Sequence, residues 1–196
     1  MSLLSLQDDP HLLLDGPQGV IRYVSECVPA RDADEWLAEL MQTVPWAAER
    51  RLMYEREVDV PRLTAHFDLD GSNAAAPQPI VRMHAIACTV AAAQFDSVGL
   101  NLYRDGNDSV APHNDKLHQL KAGEPIALFS LGATRRMTIR SKNLPRRTLH
   151  LELESGSLLV MSYATQLHFD HGIAKTRTPV GPRVSLAFRC RPRAGA

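Results

Sequence analysis

Two histidines and one aspartate supply the residue types of a mononuclear iron site. His113 and Asp115 stand two residues apart at the end of the stretch NLYRDGNDSVAPHND, and His171 follows further along the chain. On an extended segment, residues i and i+2 project to the same side, so both side chains of the first pair can reach one ion. Two imidazoles and a carboxylate bind iron(II) and leave positions open for an oxidant and a co-substrate. The sequence therefore predicts a metal centre with oxidative chemistry.

Other histidines compete with His171 for the place of the third ligand. His168 precedes it by three residues and is the alternative that the spacing leaves open. His150 alternates with Leu149 and Leu151, which is typical of a strand residue that faces solvent.

A second group of residues indicates a bound anion. Over residues 183–190, Arg183, Ser185, Ala187 and Arg189 alternate with apolar residues, which places both arginines on one face of a strand. A buried guanidinium needs an anion and pairs well with a carboxylate, so the pattern favours a dicarboxylate such as 2-oxoglutarate. Six residues of strand span roughly 20 Å. We therefore expect one arginine to hold the distal carboxylate and the other to lie near Asp115 or the chelating end; the alternative is an edge strand with outward charges.

The elements that must position these residues change character along the chain. The first half predicts a strand over 19–24, helices over 33–44 and 79–93, and a strand plus a long surface loop over 55–75, with Asp32 and Glu35 resembling a capping box. From about residue 98 the apolar period becomes two, which predicts strands over 98–103, 126–131, 136–141, 148–153, 157–162 and 183–190. Two helices followed by many short strands predict an α+β fold, in which N-terminal helices buttress a sheet sandwich or barrel.

Length and composition favour one intracellular domain. The 196 residues suffice for a single core, and no apolar run approaches the roughly 20 residues that a membrane span needs. The N-terminal residues lack a basic leader, so they do not resemble a secretory signal. The three cysteines are odd in number and scattered, which favours buried thiols in a reducing compartment and hence the cytoplasm.

The charge is balanced overall but uneven along the chain. Residues 1–134 contain 10 Lys and Arg against 19 Asp and Glu, whereas residues 135–196 contain 12 against 3, so the two parts carry −9 and +9. If the basic part forms one face, it can meet a polyanion such as nucleic acid. The alternative is that the two parts interleave in one sheet domain and their charges pair.

Four segments, in chain order, resemble the AlkB-like family of Fe(II)/2-oxoglutarate-dependent dioxygenases. They are NLYRDGNDSVAPHND, IALFSLGATRRMTIR, LELESGSLLVMSYATQLHFDHGIAKT and PRVSLAFR, with weaker similarity over residues 60–65. The resemblance implies a double-stranded β-helix, or jelly-roll, core. It also implies a single domain over 1–196, with N-terminal helices and a substrate lid in 1–95 and the catalytic core in 96–192.

The same resemblance implies roles for individual residues. His113, Asp115 and His171 would bind the iron. The residues implied for 2-oxoglutarate are Asn101, Tyr103, Arg183 and Ser185, with Arg189 near its chelating end. The residues expected to contact substrate are Arg62 and Phe67 in the lid, Lys116 after the metal motif, and Arg135 among the basic residues.

The implied reaction consumes 2-oxoglutarate and O₂, releases succinate and CO₂, and hydroxylates a C–H bond. On an N-methylated nucleic-acid base the product would lose formaldehyde and restore the base, which is DNA repair chemistry; basic residues would bind phosphates. No membrane and no obligate protein partner is implied. The chain departs from the repair members by Lys116, where acidic residues usually follow, and by a lid whose only rings are His66 and Phe67. Two alternatives therefore stay open: the same chemistry on a protein side chain or small metabolite, and a non-catalytic binding module.

Overall fold

The described part of the chain is mostly antiparallel β-structure. This computed structural model describes residues 11–53, 56–71 and 76–192, and for 51–53 and 56–59 it describes the backbone alone. The strands are β1 (Leu12–Gly16), β2 (Gly19–Val24), β3 (Ala47–Met53), β4 (Arg56–Asp68), β5 (Ser97–Tyr103), β6 (Val110–His113), β7 (Ile126–Gly132), β8 (Arg135–Ser141), β9 (Thr148–Leu153), β10 (Ser157–Met161), β11 (Phe169–Ile173) and β12 (Arg183–Arg189). The helices are α1 (Ala30–Thr43), α2 (Gln78–Ala91) and α3 (Tyr163–His168), with a short 3₁₀ turn at Leu117–Gln119.

Within these residues the strands form two sheets. The larger has eight strands in the order β1-β2-β10-β7-β12-β5-β4-β3, and the smaller has four in the order β6-β11-β8-β9. From β5 onward the chain passes back and forth, so that β5, β7, β10 and β12 lie in the larger sheet and β6, β8, β9 and β11 in the smaller. This winding is a double-stranded β-helix, and the predicted jelly-roll core is confirmed.

Two apolar clusters lie on opposite faces of the larger sheet. One cluster lies between the two sheets and consists of inward-facing residues of both sheets, including Leu128, Met137 and Ile139. On the other face, residues of β5, β7 and β12 pack with the buried side chains of α1 and α2, among them Trp36 and Met83. Burial on both faces explains why β7 and β10 are almost continuously apolar in sequence.

Most of the predicted elements of the first half are present with shifted ends. The strand at 19–24 is β2, and the two predicted helices are α1 and α2. The predicted capping box is wrong, because α1 begins at Ala30, after Pro29, which makes no side-chain capping hydrogen bond. Asp32 therefore lies inside the first turn, where its charge suits the helix dipole, and Glu35 accepts a hydrogen bond from Arg31 Nε at 2.9 Å.

Four strands were not predicted, namely β1, β3, β6 and β11. The last two are short and carry polar residues, so period-two alternation is weak in them. Of the strand plus long surface loop predicted over 55–75, the strand is present as β4 and is longer than expected, while residues 72–75 lie outside the described residues. Edge strands and strands that line a polar cavity bury too little apolar surface to show the pattern.

The described residues contain no helix that is both long and apolar enough to cross a membrane. All three cysteines are free thiols. Cys190 is buried and donates to the carbonyl of Gln94 at 3.0 Å, and burial raises the pKa of this thiol to about 11. Cys27 and Cys88 are only partly buried.

Both expectations about the uneven charge are met in part. Pairing between the two halves occurs, since Arg189 pairs with Asp115 and Arg191 with Asp68. Other basic residues remain exposed on the outer side of the smaller sheet and on the loop between β8 and β9. This basic face consists of Arg136, Arg140, Lys142, Arg146 and Arg147.

Candidate active site

A cavity of about 580 Å³ is lined by residues of both sheets. Strand β12 contributes Arg183, Ser185, Ala187 and Arg189 to its wall, whereas its alternate residues, such as Leu186, pack in the apolar cluster beneath α1 and α2. The predicted division of this strand into two faces is confirmed. The edge-strand alternative is wrong, because β12 lies between β7 and β5 in the larger sheet.

His113, Asp115 and His171 meet in this cavity. Their ligand atoms all lie within 4.8 Å of one another, close enough to converge upon one ion. His113 and His171 are directly paired across β6 and β11, and their ring centroids are 4.6 Å apart. His168, the alternative ligand, ends α3 and lies outside this group. Two imidazole nitrogens and one carboxylate oxygen form a donor set that suits iron(II).

The hydrogen bonding of His113 and the lowered pKa of His171 both favour metal binding. The Nδ1 of His113 lies 2.9 Å from the carbonyl of Ala111, and donation there leaves Nε2 as the ligand atom. Burial of His171, together with the nearby His113, lowers the pKa of His171 to about 4. His171 is therefore neutral at pH 7, which is the form that coordinates metals.

Asp115 is held from two directions. Burial alone would raise the pKa of its carboxyl, but the charge and hydrogen bonds of Arg189 outweigh burial and lower it. Arg189 donates from Nε at 2.8 Å and from Nη2 at 3.2 Å to the two carboxylate oxygens. The backbone N–H of Asp115 donates to Oε1 of the buried Gln166 at 3.0 Å. Gln166 was not predicted, and nothing in its sequence surroundings indicates this contact between α3 and the metal motif.

Arg183 is a buried cation with unused donors. Only 1% of its surface is exposed, and Nη2 donates to Ser130 Oγ at 2.8 Å. Within the described part of the chain, Nε and Nη1 have no hydrogen-bond partner. The guanidinium carbon lies 5.1 Å from the centroid of the Tyr103 ring, and burial lowers the pKa of Arg183. Such a group requires an anion, so the residues present fit the distal carboxylate of 2-oxoglutarate.

The remaining residues predicted for the co-substrate are also brought together. Asn101 and Tyr103 on β5 line the cavity, and Ser185, which is almost fully buried, is the register partner of Asn101 on β12. Arg62 lines the same cavity, but its Nε donates to Asn101 Oδ1 at 2.6 Å.

Two of the residues expected to contact substrate, Phe67 and Arg135, are packed away from the cavity. Phe67 packs against the apolar cluster beneath the helices, because it points to the opposite face of β4 from Arg62, and His66 is the ring on the cavity side. Arg135 is 4% exposed and donates to the carbonyls of Asp105, Asp108 and Ala174, so it braces loops and does not reach a surface phosphate. Lys116 is exposed and lies outside the cavity lining, so its contact with substrate stays a prediction.

Two polar residues of the cavity wall, Glu49 and Thr64, were not among the predicted site residues. Glu49 on β3 lines the cavity and accepts a hydrogen bond from Thr64 Oγ1 at 2.8 Å. Both lie on strands whose register the sequence does not reveal.

Comparison with known proteins agrees with this geometry. The family model described as the 2OG-Fe(II) oxygenase superfamily matches residues 72–189. Among curated proteins, the mouse DNA oxidative demethylase ALKBH2 is 33% identical over 178 residues, which cover 81% of this chain and 74% of that protein. The human alpha-ketoglutarate-dependent dioxygenase alkB homolog 3 is 31% identical, over 83% of this chain and 63% of its own length.

Solved structures support the fold. The structure of OsALKBH1 aligns with a TM-score of 0.63 at 13% identity and covers 86% of this chain and 97% of that one. A Pseudomonas putida prolyl-4-hydroxylase aligns with a TM-score of 0.53 at 14% identity, over 88% and 93% of the two chains. At such identities the likeness concerns the fold alone. From the family model and the curated relatives, the chain belongs to the AlkB-like branch of the 2OG-Fe(II) oxygenase superfamily and is an Fe(II)- and 2-oxoglutarate-dependent dioxygenase.

Proposed function

We propose that this dioxygenase dealkylates N-methylated nucleic-acid bases and releases formaldehyde, succinate and CO₂. The observation that carries the proposal is the convergence of His113, Asp115 and His171 in one cavity with Arg183, a buried cation with two nitrogens that find no partner among the described residues. The relatives named DNA oxidative demethylase support nucleic acid as the substrate.

In this proposal each site residue has one task. His113, Asp115 and His171 hold Fe(II), which with 2-oxoglutarate and O₂ supplies the oxidation of a substrate C–H bond. Arg183 binds the distal carboxylate in a site that excludes water, where a charge-assisted hydrogen bond is strongest. The remaining co-substrate contacts are assigned to Asn101, Tyr103 and Ser185.

Arg189 keeps Asp115 ionised and oriented. Because both carboxylate oxygens receive hydrogen bonds from one guanidinium, the side chain is fixed before any metal binds. Neutral His171 avoids the cost of losing a proton on coordination. The chain thus contributes binding, orientation and a dry cavity, and no side chain has to transfer a proton.

The basic face is proposed to bind phosphates. Arg136, Arg140, Lys142, Arg146 and Arg147 are exposed together on the smaller sheet and its β8–β9 loop. Lys142 also donates to Asn114 Oδ1 at 2.9 Å, which joins this face to the metal motif. Contacts of this kind fix position on a nucleic acid without reading its sequence.

We also propose a division of the chain, which the packing supports. We assign residues 1–196 to a single domain, with a substrate lid and helices in 1–95 and the catalytic core in 96–192. The helices α1 and α2 buttress that core, because Trp36, Leu40, Ile80 and Met83 pack into the same cluster as the outer face of the larger sheet. We also place the protein in the cytoplasm, since its three cysteines are free thiols.

The proposal is tested by turnover on defined lesions. The protein is loaded anaerobically with iron(II) and 2-oxoglutarate, then exposed to oxygen with a panel of methylated oligonucleotides, and the oligonucleotide mass and formaldehyde are followed. We expect the oligonucleotide to lose the mass of one CH₂ unit, because hydrogen replaces the methyl group, with stoichiometric formaldehyde and succinate. His171→Ala serves as the inactive variant, and Arg31→Met, on the exposed face of α1, as the active control.

Two outcomes would contradict the proposal. Steady succinate release with unchanged oligonucleotides would indicate that the substrate is a protein side chain or a small metabolite instead of a nucleic acid. Absence of succinate from iron-loaded protein would instead indicate a binding module that keeps the fold.

A further inference from the structure

We propose that Arg62 is a positioning residue for the co-substrate: it fixes the side-chain amide of Asn101 so that Nδ2 faces the cavity. The inference rests on the proposed function, in which Asn101 contacts 2-oxoglutarate. The sequence instead led us to expect Arg62 at the substrate.

The contact between the two side chains is short and protected. Arg62 Nε lies 2.6 Å from Asn101 Oδ1, and both residues are partly buried and line the cavity. They stand on adjacent strands, β4 and β5, where Thr64 is the register partner of Asn101. Arg62 is therefore one same-face step along β4 from the position opposite Asn101.

Hydrogen-bond chemistry makes this contact directional. A guanidinium only donates, so the Asn101 atom that meets Arg62 must be the acceptor Oδ1. The amide Nδ2, with its two N–H donors, is then available to bind an anion in the cavity. The flipped amide would turn Nδ2 toward the guanidinium and Oδ1 toward a carboxylate, and both contacts would be repulsive. Arg62 thus selects one of two orientations that are otherwise nearly isosteric.

A second contact connects Arg62 with the segment that leads into the metal-ligand strand. Its Nη1 donates to the carbonyl of Ser109 at 3.3 Å, and the Ser109 N–H donates to the carbonyl of Pro61 at 2.8 Å. Ser109 immediately precedes β6, which ends in His113. The guanidinium therefore lies between the amide of Asn101 and the start of the strand that carries one metal ligand.

The test measures 2-oxoglutarate binding without turnover. Calorimetric titration of 2-oxoglutarate into Mn(II)-loaded protein, without oxygen, is compared for the wild type, Arg62→Met, Asn101→Ala and the double variant. We expect each single variant to weaken binding about tenfold, as for the loss of one hydrogen bond to a charged group. The double variant should bind no more weakly than Asn101→Ala, because Arg62 acts through Asn101. Arg31→Met, an exposed arginine on α1, should bind as the wild type does.

Other outcomes separate this inference from the proposed function. If Asn101→Ala weakens binding and Arg62→Met does not, the positioning role is wrong and the proposed function stands. If Asn101→Ala binds normally, the assignment of Asn101 to the co-substrate is itself wrong, and the inference falls with it. If Arg62→Met weakens binding equally in the Asn101→Ala background, Arg62 acts by another route and the inference is overturned.

A structural role alone is excluded by a second readout. Mn(II) affinity, measured by electron paramagnetic resonance, should stay unchanged in Arg62→Met, and an equal fall in metal and 2-oxoglutarate affinity would overturn the inference. If Arg62→Met does not fold, Arg62→Lys replaces it, because lysine keeps the charge and a donor. Lysine should then weaken 2-oxoglutarate binding less than Asn101→Ala does, and a loss as large or larger would count against the inference.

Discussion

Arg189 donates a hydrogen bond to each carboxylate oxygen of Asp115, from Nε to Oδ2 at 2.8 Å and from Nη2 to Oδ1 at 3.2 Å. The carboxylate proposed as a metal ligand is therefore oriented by a residue 74 positions away in the chain, on the central strand β12. This agrees with the expectation that the second arginine of that strand lies against Asp115.

Replacing Arg189 by Met is expected to weaken metal binding roughly 10- to 100-fold, the usual effect of removing a partner that orients a ligand. The loss follows because the carboxylate would keep its burial but lose the donors that hold it. Titration with Mn(II) measures the change, with Arg191→Met as the matched control. Unchanged Mn(II) affinity in Arg189→Met would show that Asp115 needs no such support.

His171→Ala is expected to abolish both iron binding and turnover, whereas His168→Ala should retain both. The reason is that His171 belongs to the group whose ligand atoms lie within 4.8 Å of one another, and His168 does not. Iron stoichiometry after anaerobic loading checks the prediction. The reverse pattern would make His168 the third ligand.

Arg183→Met should raise the dissociation constant of 2-oxoglutarate about 100-fold, since a buried charge-assisted contact is lost. The monocarboxylate 2-oxobutyrate lacks the distal carboxylate, so its weak binding should hardly change. Calorimetry on Mn(II)-loaded protein provides both constants. A similar loss for both acids would place the contact elsewhere.

Asp108→Asn tests the loop between β5 and β6. The buried Asp108 carboxylate accepts hydrogen bonds from Arg104 Nε at 2.8 Å and Nη2 at 2.9 Å, and these lower its pKa. A lowered folded-state pKa gives stability that is present above the ordinary value and is lost as the pH falls through the folded value. We expect Asp108→Asn to lower the free energy of unfolding by about 1–3 kcal/mol at pH 7. The asparagine amide NH₂ group would face the Arg104 guanidinium, which is also a donor.

Urea unfolding at pH 7 and pH 3 measures this difference. The gap between wild type and Asp108→Asn should narrow at pH 3, which is below the ordinary pKa of an aspartate, because the unfolded chain then binds a proton that the folded carboxylate resists. Asp34→Asn, on the exposed side of α1, should stay within about 0.5 kcal/mol at either pH. A gap that does not depend on pH would mean that the charge of Asp108 is unimportant.

The double variant Arg146→Gln/Arg147→Gln tests the basic face. If each arginine neutralises one phosphate of a single strand, the slope of log affinity against log salt should become shallower by roughly 1.4. Fluorescence anisotropy with a labelled oligonucleotide between low and moderate salt gives the slope, and Arg31→Gln is the control. An unchanged slope would remove these two arginines from the interface.

The sequence was sufficient where chemistry or alternation is local. Residue types and spacing alone predicted that His113 and Asp115 can reach one ion and that β12 has two different faces. Both predictions rest on the rule that an extended segment places residues i and i+2 on one side. The strands of the jelly-roll core that pack on both faces were also predicted, because their burial leaves continuous apolar runs.

The sequence was insufficient wherever register or a distant partner decides the outcome. His66 and Phe67 are adjacent, and a shift of one residue decides which ring faces the cavity and which packs in the core. An arginine such as Arg135 is usually a surface residue, yet it donates hydrogen bonds to three backbone carbonyls, two in the β5–β6 loop and one after β11. Gln166 gives no local signal either, because its partner is the backbone N–H of Asp115.

Strand β12 also fixes the distance between its two arginines. Arg183 and Arg189 stand on one strand that pairs without a register shift with β5 on one side and β7 on the other. Backbone hydrogen bonds on both edges hold the strand in register, so Arg183 has a fixed position relative to Arg189 and its partner Asp115. If Arg183 holds one end of a diacid and a metal bound at Asp115 holds the other, we expect a diacid one methylene shorter or longer to bind more weakly, because it would reach only one of the two contacts.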